Sequence, residues 1–390
     1  MNGTIYMPVG EVCSSISDTY REKKNMVTLI NTSDVLEGRV LNHERVPNSN
    51  LKGQFKKTFQ RDDILYSEIR PQNRRFAYVD FSPIDYIAST KLMVIRAKKD
   101  VVSPKYLYYF LKNSSTVAEL QLLAETRSGT FPQITFSEVA NLTIPVPSLA
   151  VQEVIVQTMQ CLEDKITCNE QINDNLYEIV NAYYTSLFKD VECEMTTIGN
   201  YAERIYSGGT PTTSNAAYWD GTFGWFSSGE TRNRFVISTE KSITQTGIDN
   251  SSTKLASKHD IVMASAGQGF TRGQTSMLLI DTYVNQSVIV IHADRNILPY
   301  LFWNLANRYE ELRAISDSSS IRGSLTTKMI AAFEIPCANN DVIQTFSGFA
   351  WAVIPQIENN LLENERLAAL RDSLLPKLMT GEIDVSGIQL

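Results

Sequence analysis

The amino-acid sequence predicts an α+β protein in which two similar mixed α/β domains are separated by two long antiparallel coiled-coil helices. Three observations predict it. Several segments occur twice in the same order, so the chain carries an internal repeat with pseudo-two-fold character. Each copy changes from short apolar runs to helical spacing at an Ile-Pro dipeptide. Each of the resulting helical stretches carries a heptad seam.

The repeat rests on three matched pairs of segments. DILYSEIRPQNRRF from Asp63 aligns with DIVMASAGQGFTRG from Asp260, and YLYYFL from Tyr106 aligns with YLFWNL from Tyr300. The third pair, ITFSEVANLTIP and LTTKMIAAFEIP, keeps the same order further along the chain. The small drift in offset indicates loops of different length in two copies of one module. The repeat predicts domains at 1–150 and 191–340, helices at 151–190 and 341–380, and a C-terminal tail at 381–390.

The two helical stretches follow alternating steps of four and three residues, from Ile155 to Leu187 and from Phe346 to Leu378. Stretches of nearly forty residues with acidic flanks exceed an ordinary globular helix of about 8 to 20 residues. Because each helix alone would expose its apolar stripe, we expect the two to pair antiparallel. A rod of about 36 residues would be on the order of 55 Å long at ~1.5 Å per residue.

Two features of the seams carry further expectations. Asn169 and Asn360 interrupt the two seams at equivalent positions, and buried Asn commonly fixes helix register; solvated hinge positions are the alternative. Pro355 lies within the second stretch and should either kink that helix or mark its true start. Cys161 and Cys168 share a helix face, where packing is favoured over metal binding.

Composition and charge narrow the class of protein. The 390 residues are 43% hydrophobic and 20% charged, which suits two or three globular units. The start lacks the pattern of a secretion signal and no run of about 18 apolar residues occurs, so we expect a cytoplasmic protein. The formal charge of −7 is unevenly divided, with +4 in residues 1–150 and negative values in the other segments. Net acidity therefore does not exclude a DNA partner.

The segment YSGGTPTTSNAAYWDGTFGWFSSGE, residues 206–230, combines small hydroxyl and amide side chains with two tryptophans. Such polar groups match base edges and phosphates, and two domains on a rod suit DNA half-sites spaced by about 34 to 36 Å per helical turn. For the tryptophans, a place in the core is the favoured interpretation. The polar candidates for DNA contact in this segment are Thr212, Thr213, Ser214, Asn215, Ser227 and Ser228.

The same motifs carry a resemblance to a known family. The segments GGTPTTSNAAYW, WFSSGE, VNQSVIVI and LAALRDSLLPKLMTGEI, together with DDILYSEIRP in the first half, resemble the specificity subunit of type I restriction-modification enzymes. The resemblance covers nearly the whole chain. It implies two target recognition domains that each recognise one half of a bipartite, asymmetric DNA site, held by two antiparallel helices. It also implies that these helices dock methylation subunits, of which we expect two, and that restriction subunits join the complex.

The resemblance directs attention to cations in loops of both domains, since Arg suits guanine and phosphate while Lys suits phosphate. In the first domain the candidates for DNA contact are Lys52, Lys56, Lys57, Arg70, Arg74 and Arg75. In the second domain they are Arg232, Arg234, Gln268, Arg272 and Arg322. For any one of them, a solvated surface position is an equal alternative. On the helices, the candidates for partner binding are Leu176, Tyr183, Leu187, Leu367, Leu374 and Leu378.

No segment carries the chemistry of an enzyme. The sequence has no GxxxxGK[ST] phosphate loop and no Asn-Pro-Pro-Tyr-like run for a flipped adenine. We therefore expect a non-catalytic DNA-recognition subunit with no catalytic residue, metal or cofactor of its own, whose partner subunits hold S-adenosylmethionine, ATP and magnesium. Two alternatives stay open at this point, namely a self-sufficient DNA-modifying enzyme and a scaffold whose two domains bind only proteins.

Overall fold

The structure is a computed structural model that describes residues 4–22, 24–49, 53–127, 131–188, 194–267, 270–318 and 323–385. The chain forms two compact units. The first unit comprises Met1–Ile166 and Arg366–Leu390, and the second comprises Thr167–Glu365. Each unit thus contains one copy of the repeated domain and a part of both long helices.

The first unit begins with twelve strands and four short helices before the first long helix, counted over its described residues. Its strands are β1 (Ile5–Pro8), β2 (Cys13–Ile16), β3 (Met26–Ile30), β4 (Val35–Leu36), β5 (Arg39–Val40), β6 (Val46–Pro47), β7 (Phe55–Lys57), β8 (Ile64–Ser67), β9 (Phe76–Tyr78), β10 (Tyr86–Ser89), β11 (Leu92–Ala97) and β12 (Thr143–Val146). Its helices are α1 (Val9–Val12), α2 (Pro104–Lys112), α3 (Ser114–Arg127), α4 (Phe136–Asn141) and the start of α5 (Leu149–Phe188).

The second unit repeats this order of elements. Its strands are β13 (Met195–Thr197), β14 (Ala202–Ser207), β15 (Trp219–Phe226), β16 (Phe235–Val236), β17 (Lys241–Ile243), β18 (Lys254–Ala256), β19 (Ile261–Ala264), β20 (Thr275–Leu278), β21 (Thr282–Val284), β22 (Val288–Ala293) and β23 (Glu334–Pro336). Its helices are α6 (Ile198–Tyr201), α7 (Gln245–Asp249), α8 (Leu298–Ala306), α9 (Tyr309–Ser318), α10 (Thr327–Ala331) and most of α11 (Asn340–Thr380).

Sheet topology confirms that the two units are copies of one module. One sheet has the order β2-β11-β8-β9 in the first unit and β14-β22-β19-β20-β16 in the second. The other sheet has the order β6-β3-β10-β7 in the first and β17-β15-β21-β18 in the second. In both copies the central pair of this second sheet is parallel, β3 with β10 and β15 with β21. The internal repeat and the mixed α/β class predicted from sequence are therefore correct.

Continuous apolar strands lie at the centre of each module because both of their faces are buried. In β11, Leu92 and Val94 face the core between the two sheets, whereas Met93 and Ile95 face a core shared with helices. In β22 the same alternation places residues 288 and 290 in one core and residues 289 and 291 in the other. The helix-facing core of each unit also receives side chains from α5 and α11, so both long helices are anchored to each module.

Within each unit α5 and α11 run antiparallel. In the second unit Asn169 Nδ2 lies 2.9 Å from Asn364 Oδ1, and Asn360 Nδ2 lies 2.8 Å from Asn173 Oδ1, so numbers rise along one helix as they fall along the other. Asn169 and Asn360 are both buried, which excludes the solvated alternative. The hydrogen bonds that they donate across the seam are those expected of register-setting residues.

The structure excludes one alternative for Pro355 and contradicts the expected packing of Cys161 and Cys168. Pro355 does not mark the start of the second helix, because α11 runs without interruption from Asn340 to Thr380. Pro355 is exposed, so water can satisfy the carbonyl that its missing N–H leaves unpaired. Cys161 and Cys168 are exposed rather than packed, since both lie on the outer face of α5.

Candidate nucleic-acid interface

The glycines of the GGTPTT segment allow the chain to pass unusually close to its neighbours. A side chain at Gly208 would overlap the carbonyl of Val284 at the end of β21, and one at Gly209 would overlap Ser252. Only glycine fits such a close backbone approach. The segment after Gly209 therefore leaves the end of β14 beside the start of β18.

The two tryptophans hold this segment by its backbone. Trp219 Nε1 donates a hydrogen bond of 3.2 Å to the carbonyl of Thr212, and Trp225 Nε1 donates one of 3.3 Å to the carbonyl of Gly209. The two indole rings contact edge to face, with centroids 5.0 Å apart. Trp225 is 5% exposed, so the predicted core position holds for it, while Trp219 is half-buried. The tryptophans thus fix a polar loop and do not face solvent as stacking platforms.

The polar side chains of this loop divide into exposed and structural groups. Thr212, Thr213 and Ser214 are exposed, and within the described residues their side chains form no hydrogen bond, which leaves their hydroxyls available to a ligand. Asn215 is used locally, because its Oδ1 accepts from the backbone N–H of Ala217 at 3.1 Å and caps a short 3-10 helix. The loop therefore presents three hydroxyls on a backbone that glycines and tryptophans hold in place.

Ser227 and Ser228 do not join this exposed group. Ser227 caps a second 3-10 helix, Ser228–Arg232, in a capping box with Glu230. The buried carboxylate of Glu230 accepts from the backbone N–H groups of Ser227 at 2.8 Å and Glu240 at 2.9 Å. The capping alternative considered for these serines is the one that the structure contains.

The predicted cations of the second domain are engaged within the unit. Arg232 bonds to Gly229 O at 2.9 Å and pairs with Glu240. Arg234 lies 3.5 Å from Asp174 and its guanidinium lies 4.3 Å from the ring centre of Tyr177 on α5. Gln268 and Arg322 lie outside the described residues.

Arg272 is a correction to the predicted DNA-contact set. Its guanidinium bonds to the carbonyl of Gly323 and, at 2.6 Å, to Asp317, and its side chain is only 16% exposed. Its Nε is buried without a hydrogen-bond partner among the described residues. Arg272 therefore holds the β19–β20 connection against α9, a structural role that spacing in the sequence could not reveal.

In the first domain the candidates divide in the same way. Lys52 lies outside the described residues, and the side chain of Lys56 is exposed, with no partner in the described part of the chain. Lys57 is a correction, because its Nζ donates to the carbonyls of Leu92 at 2.8 Å and Thr90 at 3.1 Å. Burial lowers the pKa of Lys57, as expected for an ammonium removed from water.

The Arg70–Arg74 turn is a constrained segment of the first domain in which Arg70 is exposed. Arg70 and Arg74 both have left-handed backbone conformations, with φ of 44° and 50°, and flank a 3-10 helix at Pro71–Asn73. Non-glycine residues in this region store strain that surrounding structure must support, a pattern common at functional sites. The Arg70 guanidinium lies 6.0 Å from the ring centre of Phe131, which is 49% exposed.

Arg74 and Arg75, at the C-terminal side of this turn, form hydrogen bonds to neighbouring segments. Arg74 Nη2 donates to Ser114 Oγ at 2.8 Å, and Arg75 Nη1 donates to Ser33 O at 3.0 Å. Of the described cations predicted in this domain, Lys56 and Arg70 thus keep the most accessible charge. Lys56 lies in β7 and Arg70 in the turn after β8, so the two charges are on separate segments of the module.

The repeat also contains a buried acid that the sequence analysis did not single out. Asp63 receives two hydrogen bonds of 2.7 Å from Arg96, and its second-unit counterpart Asp260 lies 2.6 Å from His292 Nδ1. Each carboxylate also accepts from a backbone N–H of the preceding turn, Gln60 at 2.8 Å and Ser257 at 2.9 Å. The recurrence of Asp at the start of the matched DIL and DIV segments was the available signal.

A second group was also missed. At the joint edge of the two sheets in the second unit, Arg204 and Lys254 both approach the ring of Tyr206, at 5.9 and 5.6 Å from its centre. They line an open concavity of about 500 Å³ with Ile205 and Leu255. No sequence pattern indicates this group, because its cations stand fifty residues apart in the chain.

A smaller cavity of about 230 Å³ lies in the first unit between the module and the long helices. Lys112 pairs there with Glu163 of α5, and Tyr109 donates to the same carboxylate at 2.8 Å. Burial lowers the pKa of Lys112. With Arg371 of α11 4.0 Å from Glu163, this cluster joins module and helices by charge as well as by packing.

Most predicted partner-binding residues pack inside their own unit. Leu176, Tyr183 and Leu187 pack against the helix-facing core of the second unit, and Leu374 does so in the first. Leu378 is a correction, since it is 3% exposed and has no surface to offer a partner. Leu367 is half-buried on α11. The role of these residues in docking stays a prediction.

The described part of the chain contains neither a candidate metal site nor a candidate membrane span. No group of three or more His, Cys, Asp or Glu side chains there could hold a metal ion. None of the helices described is long and apolar enough to cross a membrane.

Two modules of the same sheet order, each with part of both long helices, define a duplicated α/β protein. The chain belongs to the type I restriction modification DNA specificity domain family, whose model matches it twice, at residues 6–178 and 191–341. The resemblance seen in the sequence is therefore confirmed. Membership also confirms the prediction of a DNA-recognition subunit that is not the enzyme of its complex, and it disfavours the protein-only scaffold.

Individual relatives agree with this assignment. The chain is 27% identical to the type I restriction enzyme HindI specificity subunit of Haemophilus influenzae, over 92% of this chain and 94% of the relative. It is 26% identical to the EcoR124I/EcoR124II specificity subunit of Escherichia coli, over 71% and 68% of the two chains. Its fold is similar to the type I restriction-modification S subunit from M. genitalium, with a TM-score of 0.56, 15% identity and coverage of 97% and 96%.

Proposed function

We propose that this chain selects the DNA sequence for a type I restriction-modification complex, with each module recognising one half of a bipartite, asymmetric site. The observation that carries the proposal is the pair of modules with the same sheet order but different exposed loops. One fold repeated in one chain suits two half-sites, and unlike loops suit unlike half-sites.

The loops supply the chemistry that such recognition needs. In the second module, Thr212, Thr213 and Ser214 present free hydroxyls on a loop held by two indole hydrogen bonds. In the first, Arg70 projects from a turn with left-handed backbone at both ends. Hydroxyls and guanidinium groups are donors to base edges and phosphates, and rigid support lowers the entropy lost on binding.

The family implies assembly with other restriction-modification subunits, and the finer composition is part of the proposal. We propose that α5 and α11 dock two methylation subunits and that restriction subunits join the same complex. In this arrangement S-adenosylmethionine, ATP and magnesium belong to those partners, and the work of this chain is binding and positioning. A role of the helices in setting the distance between half-sites, and a cytoplasmic location, stay predictions.

A domain exchange tests the proposal. The second module, residues 191–340, is replaced by the corresponding module of a relative, the chimera is expressed with the methylation subunit, and methylated sites are mapped by single-molecule sequencing. We expect one half of the methylated site to change while the other half and the methylation level persist.

The matched control replaces residues 1–150 and should change the opposite half. Simultaneous change of both halves in either chimera would refute modular recognition. Methyl transfer by the chain alone, without any partner, would instead support the self-sufficient enzyme.

A further inference from the structure

We infer that Arg204 and Lys254 of the second unit form a phosphate-binding site for the backbone of double-stranded DNA, beside the loop at residues 210–215. The inference rests on the proposed function and extends it to two residues that the sequence did not indicate.

Position is the first argument. Arg204 lies on β14 and Lys254 on β18, the outermost strands of the two sheets on one side of the module. The hydroxyl of Tyr206 bonds to Leu255 O at 2.7 Å, which joins these two strands and holds the aromatic ring between the cations. A side chain at Gly209 would overlap Ser252, so the polar loop begins on this same edge.

Charge is the second argument. Within the described residues, neither the side chain of Arg204 nor that of Lys254 forms an ion pair or a hydrogen bond, and both side chains are exposed. The acid next in sequence, Glu203, lies 3.7 Å from His292 on the adjacent strand. The predicted cations of the second domain that the structure describes are all paired with carboxylates or carbonyls. Two uncompensated cations on one ring are suited to neighbouring phosphates of one strand.

Comparison of the repeats supplies the third argument. Lys57 of the first unit pairs with Ala88 in β10, and Lys254 pairs with Val284 at the equivalent position in β21. Lys57 bonds to two backbone carbonyls, whereas Lys254 contacts only the Tyr206 ring. Arg204 stands opposite His292, where the first unit has Ser14 opposite Arg96. At this edge the lysine of the first module is bonded to backbone carbonyls, whereas the second module presents two exposed cations.

The test measures salt dependence. The full chain, co-purified with its methylation subunit, is titrated against a duplex of about 30 base pairs of random sequence by fluorescence anisotropy between roughly 0.05 and 0.2 M salt. Each phosphate contact contributes about 0.9 to the slope of log K against log salt, which corresponds to about fivefold in affinity at 0.15 M. We expect Arg204→Gln and Lys254→Gln each to lower the slope by about one, and the double variant by about two.

Four controls distinguish the possible outcomes. Lys377→Gln removes an equal charge from α11 in the first unit and should leave the slope unchanged, whereas Lys254→Arg should restore it. Equal unfolding midpoints would show that the exposed substitutions leave the fold intact. Methylation of an unchanged sequence, at a lower rate, would identify a contact to phosphate and not to bases.

Failure of this inference is separable from failure of the proposed function. If the unaltered complex binds the duplex with a salt-dependent affinity and both Gln variants bind equally well, the site is wrong while DNA recognition stands. If the unaltered complex shows no salt-dependent binding, both the site and the proposed function are overturned.

Discussion

The hydrogen bond between Asn360 and Asn173 offers a quantitative test of the helix seam. Asn360 is 5% exposed, donates to Asn173 at 2.8 Å and accepts from Gln356 at 2.8 Å. In Asn360→Leu the Oδ1 of the partly buried Asn173 loses its donor across the seam, whereas Asn173 Nδ2 keeps its 3.4 Å hydrogen bond to Ile357 O. An unsatisfied buried polar group costs about 1–3 kcal/mol, and we expect the lower half of this range because Asn173 is only half-buried.

Adding Asn173→Leu to Asn360→Leu completes a double-mutant cycle. Replacing both residues by Leu removes the orphaned group and adds apolar contact, so the double variant should recover much of the loss, with a coupling of about 1 kcal/mol or more. The free energy of unfolding is measured by urea titration. Asn359→Leu, at an exposed neighbouring position on α11, should change it by no more than about 0.5 kcal/mol. Strict additivity of the two seam substitutions would refute the cross-helix hydrogen bond.

Two further predictions concern the second loop and a buried thiol. Trp225→Phe keeps the aromatic packing but removes the hydrogen bond to Gly209 O. The loop then loses about 0.5–1.5 kcal/mol of stabilisation, so the DNA affinity of the assembled complex should fall about three- to tenfold. Equal affinity in an anisotropy titration would show that the loop does not depend on this hydrogen bond. Burial raises the pKa of Cys13 from 9.0 to about 12, so the folded state retains the thiol proton that the unfolded chain loses. Between pH 9 and 12 this thiol should therefore lower the free energy of unfolding by about 1.4 kcal/mol per pH unit. Cys13→Ala should remove that part of the slope. An identical slope in the variant would contradict a raised pKa for Cys13.

The sequence predicts the packing of the core better than it predicts the partners of polar side chains at the candidate site. The apolar runs LMVIRA and SVIVIHA form β11 and β22, because burial on both faces needs continuous hydrophobicity. Long-range partners of polar residues leave no such periodic trace. Arg272 and Lys57 look like loop cations, yet one is bound by Asp317 and the other by strand carbonyls. Arg204 and Lys254 had no shared pattern and meet only through Tyr206.

The sequence alone determined the repeat, the mixed class of the modules, the two long helices and the family, because each depends on local periodicity or on motifs contiguous along the chain. Only the tertiary structure decided which polar side chains are consumed by the fold and which remain accessible. That decision depends on hydrogen bonds and ion pairs between residues distant in sequence, such as Asn360 with Asn173 or Arg96 with Asp63. Such partners are chosen by the packing of the modules, which fixes distances that no spacing along the chain encodes.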